Sequence, residues 1–178
     1  SHAAHALVRM GFSKLRLFDD DRIEEHNLSS QLYDIADVGE LKVQAIGSKL
    51  RAMNPAAEIS VHAERFSTPE EGHIVVVCVD TLTSRRNIAY ALKKAPPLAI
   101  IDCRVGGEQV EIYPYATISE WQKTIPRRAG QDPCGAQFIA YVSIIAGGLI
   151  AMAVRKVVMN APISRFMLHL NSLTFLKP

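Results

Sequence analysis

Asp19, Lys42 and Asp80 are the residues of this 178-residue chain whose types and placement could do chemistry. Asp19 ends the apolar run "KLRLF" (14–18), opens a triplet of aspartates, and leads into "DDRIEEHNLSSQ" (20–31). Asp80 ends "VVVCV" (75–79) in the same way, Asp102 follows "LAII" (98–101), and Lys42 closes "DVGELK" (37–42). Such polarity at the carboxyl end of a strand gains no packing. In open α/β sheets, however, ligands bind beyond those ends. A carboxylate there suits the two hydroxyls of a ribose. The alternative for 19–31 is a solvated loop with an Asx turn and a helix cap.

The elements that must position these residues alternate. Helical spacing runs through 1–12, with Gly11 as a C-cap, and through 39–55, where Asn54-Pro55 stops it. Strands are expected at 14–18, 58–64, 73–80 and 98–103, and a helix with a Thr81 cap at 81–95. The β-branched run 73–80 reads as a central parallel strand buried on both faces, with Cys78 as a packing residue. Strand, helix, strand, helix, strand predicts a right-handed, mostly parallel sheet with helices on both faces. Residues 108–115 look antiparallel, entered by a turn at Gly106-Gly107; 116–133 read as a polar loop and 134–159 as a long apolar helix. A last strand is expected at 165–175. The whole chain, 1–178, reads as one domain.

Composition excludes several classes. A hydrophobic content of 48%, a charged content of 21% and a net charge of +2 are those of a globular protein, with no electrostatic case for nucleic acid or an anionic membrane. Three scattered cysteines form neither a disulfide framework nor a zinc pattern, and they suit a reducing cytoplasm. The uncharged stretch 138–154 falls short of the roughly 20 residues of a membrane span. It reads as a core or subunit-interface helix in which Gly147 and Gly148 let another element come close.

Three segments in fixed order, "DDDRIEEHNLSSQ", "DVGELK" and "CVD", together with a cysteine before a long helix, resemble the ThiF/MoeB/HesA family, which includes the ubiquitin-activating enzymes. The family pattern runs G-x-G-G-x-G-S, D-x-D-x-V-x-x-S-N-L-x-R-Q, D-I-G-x-x-K, then D-N at a strand end. The resemblance extends from Ser1, which aligns after the last glycine of the loop, so the sequence as read lacks the first strand and glycine-rich loop of that pattern. It implies a Rossmann-like fold and ATP-dependent adenylation of the C-terminal carboxylate of a ubiquitin-like or sulfur-carrier protein. It also implies ATP and Mg²⁺ but no zinc, because the paired C-x-x-C motifs are missing, and a homodimer or heterodimer. By the same resemblance Asp19, Asp21, Asn27, Gln31, Lys42 and Asp80 would hold the nucleotide. Asp80 would serve Mg²⁺, and Cys134 would receive the activated group as a thioester or persulfide. A thiol at a helix N-terminus has its thiolate favoured by the helix dipole, although a small residue at a helix start needs no such role. Cys103 reads as structural.

The departures matter. The family arginine in N-L-x-R-Q is Ser30, so either another arginine (Arg22, or one from a partner subunit) replaces its charge or adenylation is lost. His26 stands at the family serine, Thr81 at the asparagine after Asp80, and Arg85 at a family arginine suited to an ion pair or a substrate contact. A second reading is therefore a catalytically silent member that binds a ubiquitin-like protein or an active subunit. A third, a nicotinamide-dependent oxidoreductase, explains Asp19 but leaves Asn27, Gln31, Lys42 and Asp80 without roles.

Overall fold

The run "KLRLF" forms β1 (Lys14–Phe18), which pairs in parallel register with β2 (Glu58–His62), Leu15 opposite Ile59 and Phe18 opposite His62. The computed structural model describes residues 1–126 and 139–176. Of these, 1–65 and 139–151 form one compact unit and 66–126 and 152–176 a second.

In the first unit, α1 (His2–Arg9) and α2 (Lys42–Met53) accompany the β1–β2 pair. Both helices are amphipathic. Val8, Ala45, Ile46 and Leu50 turn inward to form a core with Ile23, Tyr33 and Ile59. Residues 19–37 hold two short 3-10 turns, Glu25–Ser29 and Ile35–Asp37, and the helix expected from residue 39 starts at Lys42. The expectation for the glycines of the apolar helix α5 (Ala140–Val158) is met at Gly147. A Cβ there would lie 2.6 Å from His2 Cβ and 2.8 Å from the His2 carbonyl carbon, so only glycine admits the first turn of α1. Gly148 faces open space. By length and composition α5 could cross a membrane. Nonetheless Val142, Ala146, Ile150 and Ala151 are buried in the manner of a core helix, while Tyr141 and Ile144 are exposed.

The second unit is built on a five-stranded sheet. β3 (Ile74–Val77) pairs in parallel with β4 (Ala99–Gly106), and β5 (Gln109–Tyr115), β6 (Phe166–His169) and β7 (Thr174–Leu176) follow antiparallel in that order. The antiparallel reading of 108–115 and the glycine turn hold, with Gly107 at φ +57°. α3 (Leu82–Leu92) starts at the expected cap, Thr81, whose hydroxyl accepts a hydrogen bond from the Ser84 N–H at 3.1 Å.

Several expectations change. Among the described residues β3 has one ladder partner, β4; Ile74, Val75 and Val76 are half-buried, and Cys78 lies past the strand's end and is exposed. A β-branched run fixes strand propensity but not the number of neighbours. The strand 98–103 continues to Gly106, so Asp102 lies within β4, not at its end. The loop 116–133 contains α4 (Ile118–Lys123), capped by Thr117 and anchored by fully buried Trp121. The last strand is a hairpin, β6 and β7, turned at Leu173 with φ +51°.

Candidate functional site

β1 delivers Asp19 to the strand end, where its N–H continues the ladder by donating to the His62 carbonyl at 3.2 Å. The chain then folds back on itself. An Asp19 side-chain oxygen accepts the Asp21 N–H at 2.9 Å, an Asx turn. Residues 21–23 run antiparallel to 39–42: Ile23 N–H donates to Glu40, Gly39 N–H to Ile23, and Lys42 N–H to Asp21. Lys42 thereby begins α2 beside the strand end, with its Nζ 2.8 Å from Asp21 Oδ2 and its side chain 13% exposed. The carboxylates of Asp19, Asp20 and Asp21 lie within 4.8 Å of one another. Asp20 accepts from Arg65 at 3.0 Å.

Asp19 is half-buried, and desolvation pushes its carboxyl above the usual range; the Asp21 N–H and the Lys42 charge act in the opposite direction. Beneath it lies a residue that sequence reasoning missed. Tyr33 is buried and its hydroxyl donates to the Lys42 carbonyl at 3.3 Å. Burial first, then the charges of Asp19 and Asp37, raise its phenol well above the ordinary value. Its place in an irregular polar segment offers no periodicity from which to read it.

The amides are placed differently from one another. Asn27 is buried and its Oδ1 accepts the Glu24 N–H at 3.0 Å, capping the first 3-10 turn. Gln31 lines a cleft of about 310 Å³ with His5, Arg9, Tyr33 and Lys49. Desolvation, followed by the Arg9 charge, holds the His5 imidazole below its usual range. Ser30, at the arginine position of the family pattern, is buried, and the backbone there hydrogen-bonds His2. Leu32 N–H donates to Ser1 Oγ at 2.9 Å, tying this loop to the start of α1. Arg22, a candidate replacement for the missing charge, has its Nη1 on the Gly39 carbonyl at 2.7 Å.

In the second unit Asp80 is exposed between β3 and the Thr81 cap, with no ion-pair partner among the described residues. A free carboxylate at that position fits the single oxygen that a nucleotide-bound Mg²⁺ takes from protein. Arg85, one turn into α3, is buried. Its Nε donates to Asp102 Oδ1 at 3.2 Å and its Nη2 to the Cys103 carbonyl at 3.3 Å. Arg104 Nη2, at 2.8 Å, and Trp121 Nε1, at 3.0 Å, complete the shell of fully buried Asp102. Arg85 is thus the ion pair and not a free contact. Cys134 lies outside the described residues.

Asp19 and Lys42 in the first unit, and Asp80 ahead of the Thr81 cap in the second, belong to a Rossmann-like α/β fold. The chain belongs to the ThiF family, whose model matches residues 1–177. Among curated proteins it is similar to ubiquitin-like modifier-activating enzyme 5 of Rattus norvegicus, 32% identical over 109 residues, or 51% of this chain and 27% of that protein. It is also similar to the Caenorhabditis elegans protein of that name, 37% identical over 108 residues, or 51% of this chain and 26% of the other. The chain thus spans about a quarter of these relatives. Among solved structures, PaaA superposes at a TM-score of 0.77 and 20% identity over 99% of this chain and 68% of its own. The microcin C7 biosynthetic enzyme MccB in complex with N-formylated MccA superposes at 0.81 and 19% identity, over 99% and 60%. E. coli MccB with ATP does so at 0.77 and 20%, over 99% and 59%. At these identities the superpositions establish the fold.

Proposed function

We propose that this chain is the nucleotide-binding domain of an ATP-dependent enzyme that adenylates the C-terminal carboxylate of a ubiquitin-like or sulfur-carrier protein, with Cys134 as the subsequent acceptor thiol. The observation that carries the reading is the convergence of Asp19, Asp21 and Lys42 at one strand end, within a chain matched by the ThiF model from 1 to 177. One family model spans both compact units, which supports reading 1–178 as one domain. The MccB complexes with ATP and with the peptide MccA support a nucleotide and a polypeptide carboxylate as the substrates.

The reaction suits these residues. A carboxylate oxygen bonds to the α-phosphorus of ATP, the bond to the β-phosphate oxygen breaks, and pyrophosphate leaves. The nucleophile is already ionised, so no general base is required, and catalysis rests on positioning and charge stabilisation. Asp19 is suited to accept from the ribose hydroxyls and Lys42 to bring its charge to the phosphates; Asp80 would hold Mg²⁺, which would draw charge from the phosphates. Asn27 contributes the amide that its cap leaves free, and Gln31 contributes a side chain at the cleft. In a later step the Cys134 thiolate attacks the acyl carbon of the adenylate, forming a thioester and releasing AMP. The protein works as a dimer in the cytoplasm.

Buried Ser30 favours a second reading, a silent member of the family that binds its partner without adenylating it. Pyrophosphate exchange separates the two. With the full-length protein and a carrier ending in a free carboxylate, labelled pyrophosphate should appear in ATP. Exchange missing in the presence of bound ATP would make this a silent member.

A further inference from the structure

The last ladder pair between β3 and β4 is Val77 opposite Asp102, and the next residue along each chain segment is a cysteine, Cys78 just beyond the end of β3 and Cys103 within β4. Adjacent strands run roughly 4.8 Å apart, inside the range of about 4.4–6.8 Å between Cα atoms that a disulfide requires. Alternation puts both side chains on one face of the sheet, with Val76 and Ile101. Cys78 lies just past the paired part of β3, so its backbone is free to close on its neighbour, and it is exposed, while Cys103 is buried. The Cys78 thiol is near enough to bear on the ionisation of Cys103. Burial first, and then Cys78, push the Cys103 thiol well above its ordinary value.

We propose that Cys78 and Cys103 form a reversible modification site, at which a two-electron oxidant of the peroxide class joins them in a disulfide that fastens the end of β3, two residues before Asp80, to β4. The step balances. Cys78 sulfur attacks a peroxide oxygen, the O–O bond breaks, and Cys78 becomes a sulfenic acid with loss of one water. Cys103 sulfur then displaces the sulfenic hydroxyl as a second water. Two thiols and one hydrogen peroxide give one disulfide and two waters. A dithiol reductant reverses the change by exchange, entering at exposed Cys78. None of this depends on the nucleotide reading.

The test is hydrogen peroxide treatment of the folded full-length protein at mildly alkaline pH, where raised thiols ionise more, followed by intact mass and peptide mapping. The expected result is a loss of about 2 Da, reversed by dithiothreitol, with a Cys78–Cys103 cross-linked peptide. The same loss should occur in a Cys134→Ser variant, while Cys78→Ser should abolish that cross-link. The proposal is overturned if both thiols stay alkylatable, if mass rises by added oxygen alone, or if the cross-link joins Cys134 to either partner. Mapping the unmodified sequence decides the matter even where a variant fails to fold.

Discussion

Lys42 Nζ stands 2.8 Å from Asp21 Oδ2 because residues 21–23 and 39–42 form a small antiparallel pair that brings the start of α2 back to the end of β1. The loop between Asp21 and Lys42 thereby places a cation within the group of carboxylates that ends β1. Asp21 is 64% exposed, and a pair of this kind is worth no more than about 1 kcal/mol of stability. The contact therefore orients Lys42 more than it holds the fold together.

Lys42→Ala should accordingly leave the unfolding midpoint close to that of the parent while pyrophosphate exchange falls by about 10²–10³, the scale of losing one charge-stabilising donor. Thermal unfolding and exchange rates on the same preparation check this. A large fall in stability would make Lys42 structural.

Asp19 gives a prediction with a sign. Its carboxyl is raised by desolvation, so the folded state holds the proton more tightly than the unfolded chain does. The stability linked to that proton is fully present below the unfolded value and lost as pH rises through the folded one. Asp19→Asn should therefore gain stability over the parent at about pH 7 and lose that advantage at about pH 3. Melting the two proteins at both pH values tests it; equal differences would show that ionisation is not the cause. A residue that weakens the fold at neutral pH is what a binding role demands.

How much of this was legible in the sequence depends on what kind of signal each feature leaves. Asp19 and Asp80 stand out because polar residues at a strand end have no packing reason to be there, and Asn27, Gln31 and Lys42 because they match the family pattern. Capping chemistry was also readable: Thr81 was anticipated, and Thr117 with Glu120 carries the same S/T-x-x-E signature for α4, a signal that was there to be used. What stayed hidden depends on partners distant in sequence. Asp102 looked like a strand-end acid because nothing local shows that Arg85, Arg104 and Trp121 converge on it. The single ladder partner of β3 among the described residues and the hairpin of β6 and β7 likewise turn on ladder pairing, which apolar content does not encode.

The Asp102 network yields a stability prediction. Asp102→Asn keeps the shape but leaves Arg85, itself 5% exposed, without its counter-charge. Removing one partner of a buried pair costs about 3–5 kcal/mol. Urea unfolding should show a loss of that order, and a change under 1 kcal/mol would mean that the site relaxes or takes up water (roughly the value of an exposed pair).

The two glycines of α5 form an internal control. Gly147→Ala drives a methyl to 2.6 Å from His2 Cβ and should destabilise by about 1–3 kcal/mol. Gly148→Ala meets nothing within 4 Å and should stabilise by up to about 1 kcal/mol through helix propensity. Parallel melts check the opposite signs. Equal effects would contradict the packing of α1 on α5.

The central claim is that the loop after β1 holds a nucleotide. Calorimetric titration of ATP with Mg²⁺ into the full-length protein, repeated with Asp19→Ala and Lys42→Ala, tests it most directly. The account predicts micromolar binding in the parent and at least about tenfold weaker binding in each variant. Binding that both variants retain unchanged, or no binding by the parent, would contradict it.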